Sequence, residues 1–211
     1  MGTTSRHLVL VFAAALALAG CSKGGGGQAA LGDEMSLGNP NAKVTMIEYA
    51  SVACPICAAF NNTVFPEFKK KYIDTGKVHY IAREALTGNP TLAASGFLIA
   101  RCAGKDKYFQ VTDAVYRAQD DIYEPGTETV QPGAARQILL RIAETAGMSE
   151  DQFDKCVSDD KAITALNDRV EKFSKQDNVE ATPTFMLNGK KLKEGLISMP
   201  ELDAAIQPLL K

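Results

Sequence analysis

Apolar and polar positions alternate in different ways along the chain, and each pattern predicts a different element. Val44-Thr45-Met46-Ile47-Glu48-Tyr49-Ala50 is a short apolar and β-branched run with one acid inside it, which predicts a buried strand. Helical spacing takes over at Ala58, Phe60, Val64, Phe65, Phe68 and Tyr72, with Pro66 expected to kink the helix. Val78 to Ala82 predicts a second strand, and a strand-helix-strand order with a right-handed crossover makes the two strands parallel.

From Pro90 to about Gln176 the apolar residues recur at helical spacing throughout: Leu92 to Cys102, Lys107 to Ala118, Ala134 to Ala146, and Lys161 to Phe173. Ser149-x-x-Gln152 has the form of a capping box that opens a further short helix. Strand character returns at Thr184-Phe185-Met186-Leu187. Asn188-Gly189 is a strong hairpin turn, Lys191 to Leu196 is the return strand, and Pro200 to Leu209 a closing helix. The class expected is α/β, interrupted by an all-helical insertion over about residues 90–176.

The first residues follow neither pattern. Arg6 precedes an apolar run from Leu8 to Ala19, too short to span a bilayer, as in an export signal over residues 1–20. Leu18-Ala19-Gly20-Cys21 resembles the lipobox of bacterial lipoproteins, which would make Cys21 a lipid-modified N-terminus. Ala17-Leu18-Ala19 offers instead an ordinary cleavage site that releases a soluble protein. Five cysteines favour the lipobox, because removing Cys21 leaves an even number. Residues 21–36 then form a Gly-rich tether to a domain over 37–211. The expected location is the bacterial periplasm or another extracytoplasmic face, where disulfides persist.

Charge narrows the partners further. The 211 residues carry 23 Lys and Arg against 25 Asp and Glu, so electrostatics suggests no nucleic acid.

The candidate chemistry lies where the first strand meets its helix, in Cys54-Pro55-Ile56-Cys57. The first turn of a helix presents unpaired N–H groups and the positive end of the dipole, which favour a thiolate at Cys54. Pro55 suits the first helical position, having no N–H to lose. Cys57 lies one turn along, within reach of a disulfide. No cofactor is called for.

Leu37-Gly38-Asn39-Pro40, Cys54-Pro55-Ile56-Cys57 and Ala181-Thr182-Pro183-Thr184-Phe185, in this order around a helical block, resemble the DsbA-like family of exported thiol-disulfide oxidoreductases from Leu37 to the C-terminus. The resemblance implies a thioredoxin-like fold with an all-helical insertion. It makes Cys54 the exposed nucleophile and Cys57 the buried resolving thiol. Pro183 becomes a cis-proline facing them, with the backbone of Thr182 open to substrate. The implied partners are unfolded or reduced exported proteins and a membrane redox protein that recycles the dithiol. Isomerases of this superfamily dimerise through an added N-terminal module for which the tether leaves no room, so a monomeric oxidase is expected. Thr182 leans the other way, toward isomerases.

Glu48 stands six positions before Cys54, where thioredoxin-like proteins often carry a buried acid. An unpaired buried carboxylate costs several kcal/mol, so such an acid pairs or takes up a proton. It is expected to accept the Cys57 proton when a mixed disulfide is resolved; an edge position pointing to water is the alternative. Ile56 departs from the family's strong oxidases, which commonly carry His there. Redox thiols range from about 3.5 to about 7 in pKa, and Cys54 is expected between those limits.

Cys102 and Cys156 fit a structural disulfide, and two buried free thiols are the alternative. Metal binding competes weakly, since Cys54 and Cys57 supply two sulfurs and His79 is distant in sequence, too few ligands for structural zinc. A copper(I) carrier, a peptide-binding chaperone, and an isomerase or reductase remain as other readings.

Overall fold

The structure is a computed structural model and describes residues 1–2 and 33–211. The expected signal beyond Gly2, Cys21 and the Gly-rich stretch lie outside the described residues. Five strands form one mixed sheet in the order β1-β3-β2-β4-β5, comprising β1 (Met35–Leu37), β2 (Val44–Ala50), β3 (Val78–Glu84), β4 (Thr184–Leu187) and β5 (Lys190–Glu194). β2 and β3 are parallel and the other pairs antiparallel. This is a thioredoxin-like fold.

Every residue of β2 is buried, because helices cover both of its faces. Side chains alternate across a strand, so Val44, Met46 and Glu48 share the face covered by α1 (Pro55–Thr63), α2 (Phe65–Phe68) and α9 (Met199–Ile206). Ile47 and Tyr49 take the opposite face, against Phe173 of α8 (Asp160–Asp177). The expected kinked helix is broken instead. α1 ends at Thr63 with Val64 as its cap, Pro66 sits in the first turn of α2, where its missing N–H costs nothing, and Lys69–Ile73 continues as a π-helical turn.

Between β3 and β4 run α3 (Pro90–Cys102), α4 (Lys105–Arg117), α5 (Gln119–Ile122), α6 (Ala134–Thr145), α7 (Glu150–Val157) and α8. The Ser149 capping box forms in full: its Oγ accepts from the Gln152 N–H, and its own N–H donates to Gln152 Oε1 at 2.8 Å. Cys102 at the end of α3 is bonded to Cys156 of α7.

The domain begins earlier than Leu37, which corrects the expected tether over 21–36. Met35 pairs with Ala82 at the sheet edge, and Arg83 donates to Glu34 at 2.6 Å. Arg83 also reaches Asp177 and the Tyr49 hydroxyl, and lies over the Phe173 ring. That buried ion pair secures the segment before β1. Among the described residues no helix is long and apolar enough to cross a membrane.

Candidate redox site

Cys54 is the residue just before α1, with extended backbone (φ −96°, ψ 120°), and Pro55 occupies the first helical position. The loop that delivers it from β2 is held from several directions. The Ser51 hydroxyl donates to the Thr87 carbonyl at 2.8 Å, Gln119 donates to the Val52 carbonyl at 2.7 Å, and the Tyr123 hydroxyl donates to the Ala53 carbonyl at 2.8 Å. Gly88 lies against the same loop with φ +73°, and a Cβ there would stand 2.4 Å from the Ala53 oxygen, so only glycine fits.

Cys54 and Cys57 are both free thiols and both buried: Cys54, expected as an exposed nucleophile, is 8% exposed beneath the Thr182 turn, yet the environments of the two differ sharply. The Cys54 pKa is lowered to about 6, first by a hydrogen bond from the Cys57 thiol, then by the Thr182 hydroxyl and the N–H groups of Cys57 and Ile56, against the opposing effect of burial. Cys57 is fully buried, and desolvation followed by the neighbouring Cys54 drives its pKa far up. Ile56 is 49% exposed and offers no donor.

Facing this pair, the Thr182–Pro183 peptide is cis. As a thiol, Cys54 Sγ donates to the Thr182 carbonyl at 3.6 Å. The Thr182 and Thr87 hydroxyls are 2.5 Å apart; with Thr87 donating, the Thr182 proton is left for the Cys54 thiolate. Pro183 is buried, so the backbone of Thr182 is the part of this turn beside Cys54.

Glu48 is buried beneath the cysteines and does not point to water from an edge. Desolvation raises its pKa to about 8, the Tyr80 hydrogen bond pulls it back, and the Cys54 charge adds a smaller upward push. Its charge is felt at Cys57 in turn. The structure thus brings Cys54, Cys57, Glu48, Thr182 and Pro183 together, and places Cys102 and Cys156 in the disulfide between α3 and α7. His79 is buried in β3, and among the described residues no group of three or more His, Cys, Asp or Glu side chains could hold a metal ion.

Four residues of this site carried no sequence signal: Tyr80, Thr87, Gln119 and Tyr123. Each reaches the site from a distant segment, and a lone Tyr, Thr or Gln in a helical or strand pattern has no spacing that marks it.

Comparison with known proteins agrees with this fold. The thioredoxin family model, described as "Thioredoxin", matches residues 30–208. A Rickettsia bellii protein named "Putative protein-disulfide oxidoreductase" is 32% identical over 179 residues, 85% of this chain and 65% of its own length. The chain thus spans just under two thirds of that relative. The crystal structure of Wolbachia pipientis alpha-DsbA1 superposes with a TM-score of 0.75 at 27% identity, covering 87% of this chain and 94% of that one. Oxidised Bacillus subtilis BdbD shares the fold with a TM-score of 0.71 at 23% identity, covering 88% of this chain and 97% of that one. The chain belongs to the thioredoxin family and is DsbA-like within it.

Proposed function

We propose that the protein is an extracytoplasmic thiol-disulfide oxidoreductase that introduces disulfides into exported proteins through Cys54 and Cys57. The observation that carries this reading is the opposite displacement of two adjacent thiols, one held near 6 and the other driven up by burial.

In the disulfide form, a substrate thiolate attacks Cys54 Sγ. The Cys54–Cys57 bond breaks, and Cys57 leaves with the electron pair and takes a proton from Glu48. A second substrate thiolate then attacks the substrate sulfur of the mixed disulfide and expels Cys54 as a thiolate. The substrate has lost two electrons and the protein is a dithiol. Recycling runs the sequence backwards against a partner's disulfide: Cys54 attacks, Cys57 gives its proton to Glu48, and the ring closes. Glu48 thus donates in one half and accepts in the other, which suits an acid with a pKa about one unit from neutral. While Cys54 is tied up in a mixed disulfide its charge is gone, so one of the effects raising the Glu48 pKa is relieved and the acid ionises more readily.

A stabilised thiolate favours the dithiol form and makes the disulfide more oxidising, which supports the oxidase direction. The substrates are reduced exported proteins that lay their backbone along Thr182, and a membrane redox protein takes the electrons. Thr182 is the feature that favours an isomerase as second reading, tested by refolding of a scrambled-disulfide substrate. The protein works as a monomer, held at the periplasmic membrane face by lipid on Cys21; an intact mass that starts after Ala19 without lipid refutes the anchor.

The functional test is oxidation of a reduced substrate. Cys54→Ser is expected to abolish it, and Cys57→Ser to accumulate a mixed disulfide through Cys54. Trapping by Cys54→Ser reverses the assignment, and full function in Cys54→Ser points to a peptide chaperone.

A further inference from the structure

Tyr80 stands two residues before Ala82, the parallel-strand partner of Glu48, so its side chain shares the Glu48 face of the sheet on the diagonal. Its hydroxyl donates to Glu48 Oε2 at 2.5 Å. The phenol is 5% exposed, and burial followed by the Glu48 charge holds its pKa well above the usual value, so it keeps its proton and remains a donor. Phe65 and Phe109 fix the ring, with centroids 5.1 Å and 6.0 Å away.

Behind this pair lies a cavity of about 340 Å³, with Glu48, Tyr80, Tyr108, Thr112 and Tyr116 among its buried lining. Pro66 and Arg117 are exposed at its rim, with Lys69 and Asp113 beside them. Neither Cys54 nor Cys57 lines it. The wall is mainly apolar, but Glu48, Tyr80, Tyr108, Thr112 and Tyr116 supply polar groups that can hold waters in a space of this size.

We propose that Tyr80 is a positioning residue for proton transfer at Cys57: its hydroxyl fixes the Glu48 carboxyl between the buried thiol and the wall of this cavity. The proposal rests on the role given to Glu48 above. The Cys57 proton passes to Glu48 and from there to water in the cavity and to bulk, while Tyr80 keeps its own. A protein docked over Cys54 and Thr182 leaves this exit open, because those residues do not line it.

The other titratable groups around Glu48 are Cys54 and Cys57 from the α1 side, with Tyr108, Tyr116, Asp113 and Arg117 from α4 and Lys69 from the π turn along the cavity, whereas the Arg83 side chain of β3 lies on the opposite face of the sheet. The charged ones are already paired: Arg117 with Asp113, Lys69 with Asp74, Arg83 with Glu34 and Asp177.

The test is the pH profile of the resolving step. The mixed disulfide of Cys54 with glutathione is formed at acid pH and jumped to pH 6–10, and glutathione release is followed. Tyr80→Phe removes the donor that favours the carboxylate. Its midpoint is expected to rise by about one pH unit, giving a rate roughly tenfold lower at pH 7 that recovers at high pH. 3-Fluorotyrosine at position 80 keeps the shape and strengthens the donor, so the midpoint should fall; this arm holds even where Tyr80→Phe folds poorly. A rate lowered equally at every pH, with the midpoint unmoved in both variants, makes Tyr80 merely structural and overturns the proposal. Glu48→Gln separates the two levels. If it erases the midpoint while the Tyr80 variants leave it in place, only the role of Tyr80 is lost. If it leaves the wild-type midpoint intact, the role of Glu48 is wrong as well.

Discussion

The side-chain amide of Gln119 donates to the carbonyl oxygen of Val52 at 2.7 Å, across 67 residues of chain. The same amide reaches the Cys54 carbonyl at 3.3 Å. The helical insertion therefore holds the loop that presents the nucleophile, and the position of Cys54 depends on a segment that carries none of the redox chemistry.

Gln119→Ala should leave the buried Val52 carbonyl without that partner and cost about 1–3 kcal/mol of stability. Urea unfolding should show a lower midpoint with an unchanged slope, and substrate oxidation should slow. An unaltered midpoint would mean that the loop is held without this bond.

Titration of thiolate absorbance in the dithiol form should give Cys54 a midpoint near 6, with Cys57 silent over the accessible range. Cys57→Ala should raise the Cys54 midpoint, because it deletes the largest stabilising donor, whereas Cys57→Ser retains a donor and should change it less. Ile56→His should lower it and make the disulfide more oxidising. A low-titrating Cys57 would reverse the roles.

Burial of Glu48 has a consequence for stability. Its pKa rises from 4.5 to about 8 on folding, so the folded state binds more protons than the unfolded chain between those values. Stability is therefore fully present below about pH 4.5 and is lost as pH rises through 8. Glu48→Gln should stabilise the dithiol form by an amount that grows across this window and levels off above it. Thermal unfolding from pH 5 to pH 9 tests this, and a gain independent of pH would contradict it.

The disulfide between Cys102 and Cys156 closes a loop with a sequence separation of 54. Chain-entropy arguments give such a loop about 4 kcal/mol. Cys102→Ala with Cys156→Ala should lower the thermal midpoint and leave exchange at Cys54 largely intact. Finding both as free thiols in the oxidised protein would remove the basis for this.

Features set by a few neighbouring residues were legible in the sequence. The Asn188-Gly189 hairpin forms because both residues accept positive φ, 47° and 77°. The Ser149 box closes because its partners are three residues apart. Pro55 begins α1 because a first-turn residue needs no N–H. The α/β order and the place of the dithiol followed from the same local rules.

Longer-range features were not legible. Met35-Ser36-Leu37 is too short to show alternation, and it becomes a strand because β3 offers a free edge and Arg83 holds Glu34. Thr87, Gln119 and Tyr123 converge on the Cys54 loop from segments whose own patterns do not mention it. The sequence placed an acid before the cysteines, but its proton affinity came from tertiary structure. Desolvation depends on what covers a side chain, and Glu48 is covered by helices and strands brought together only by the fold.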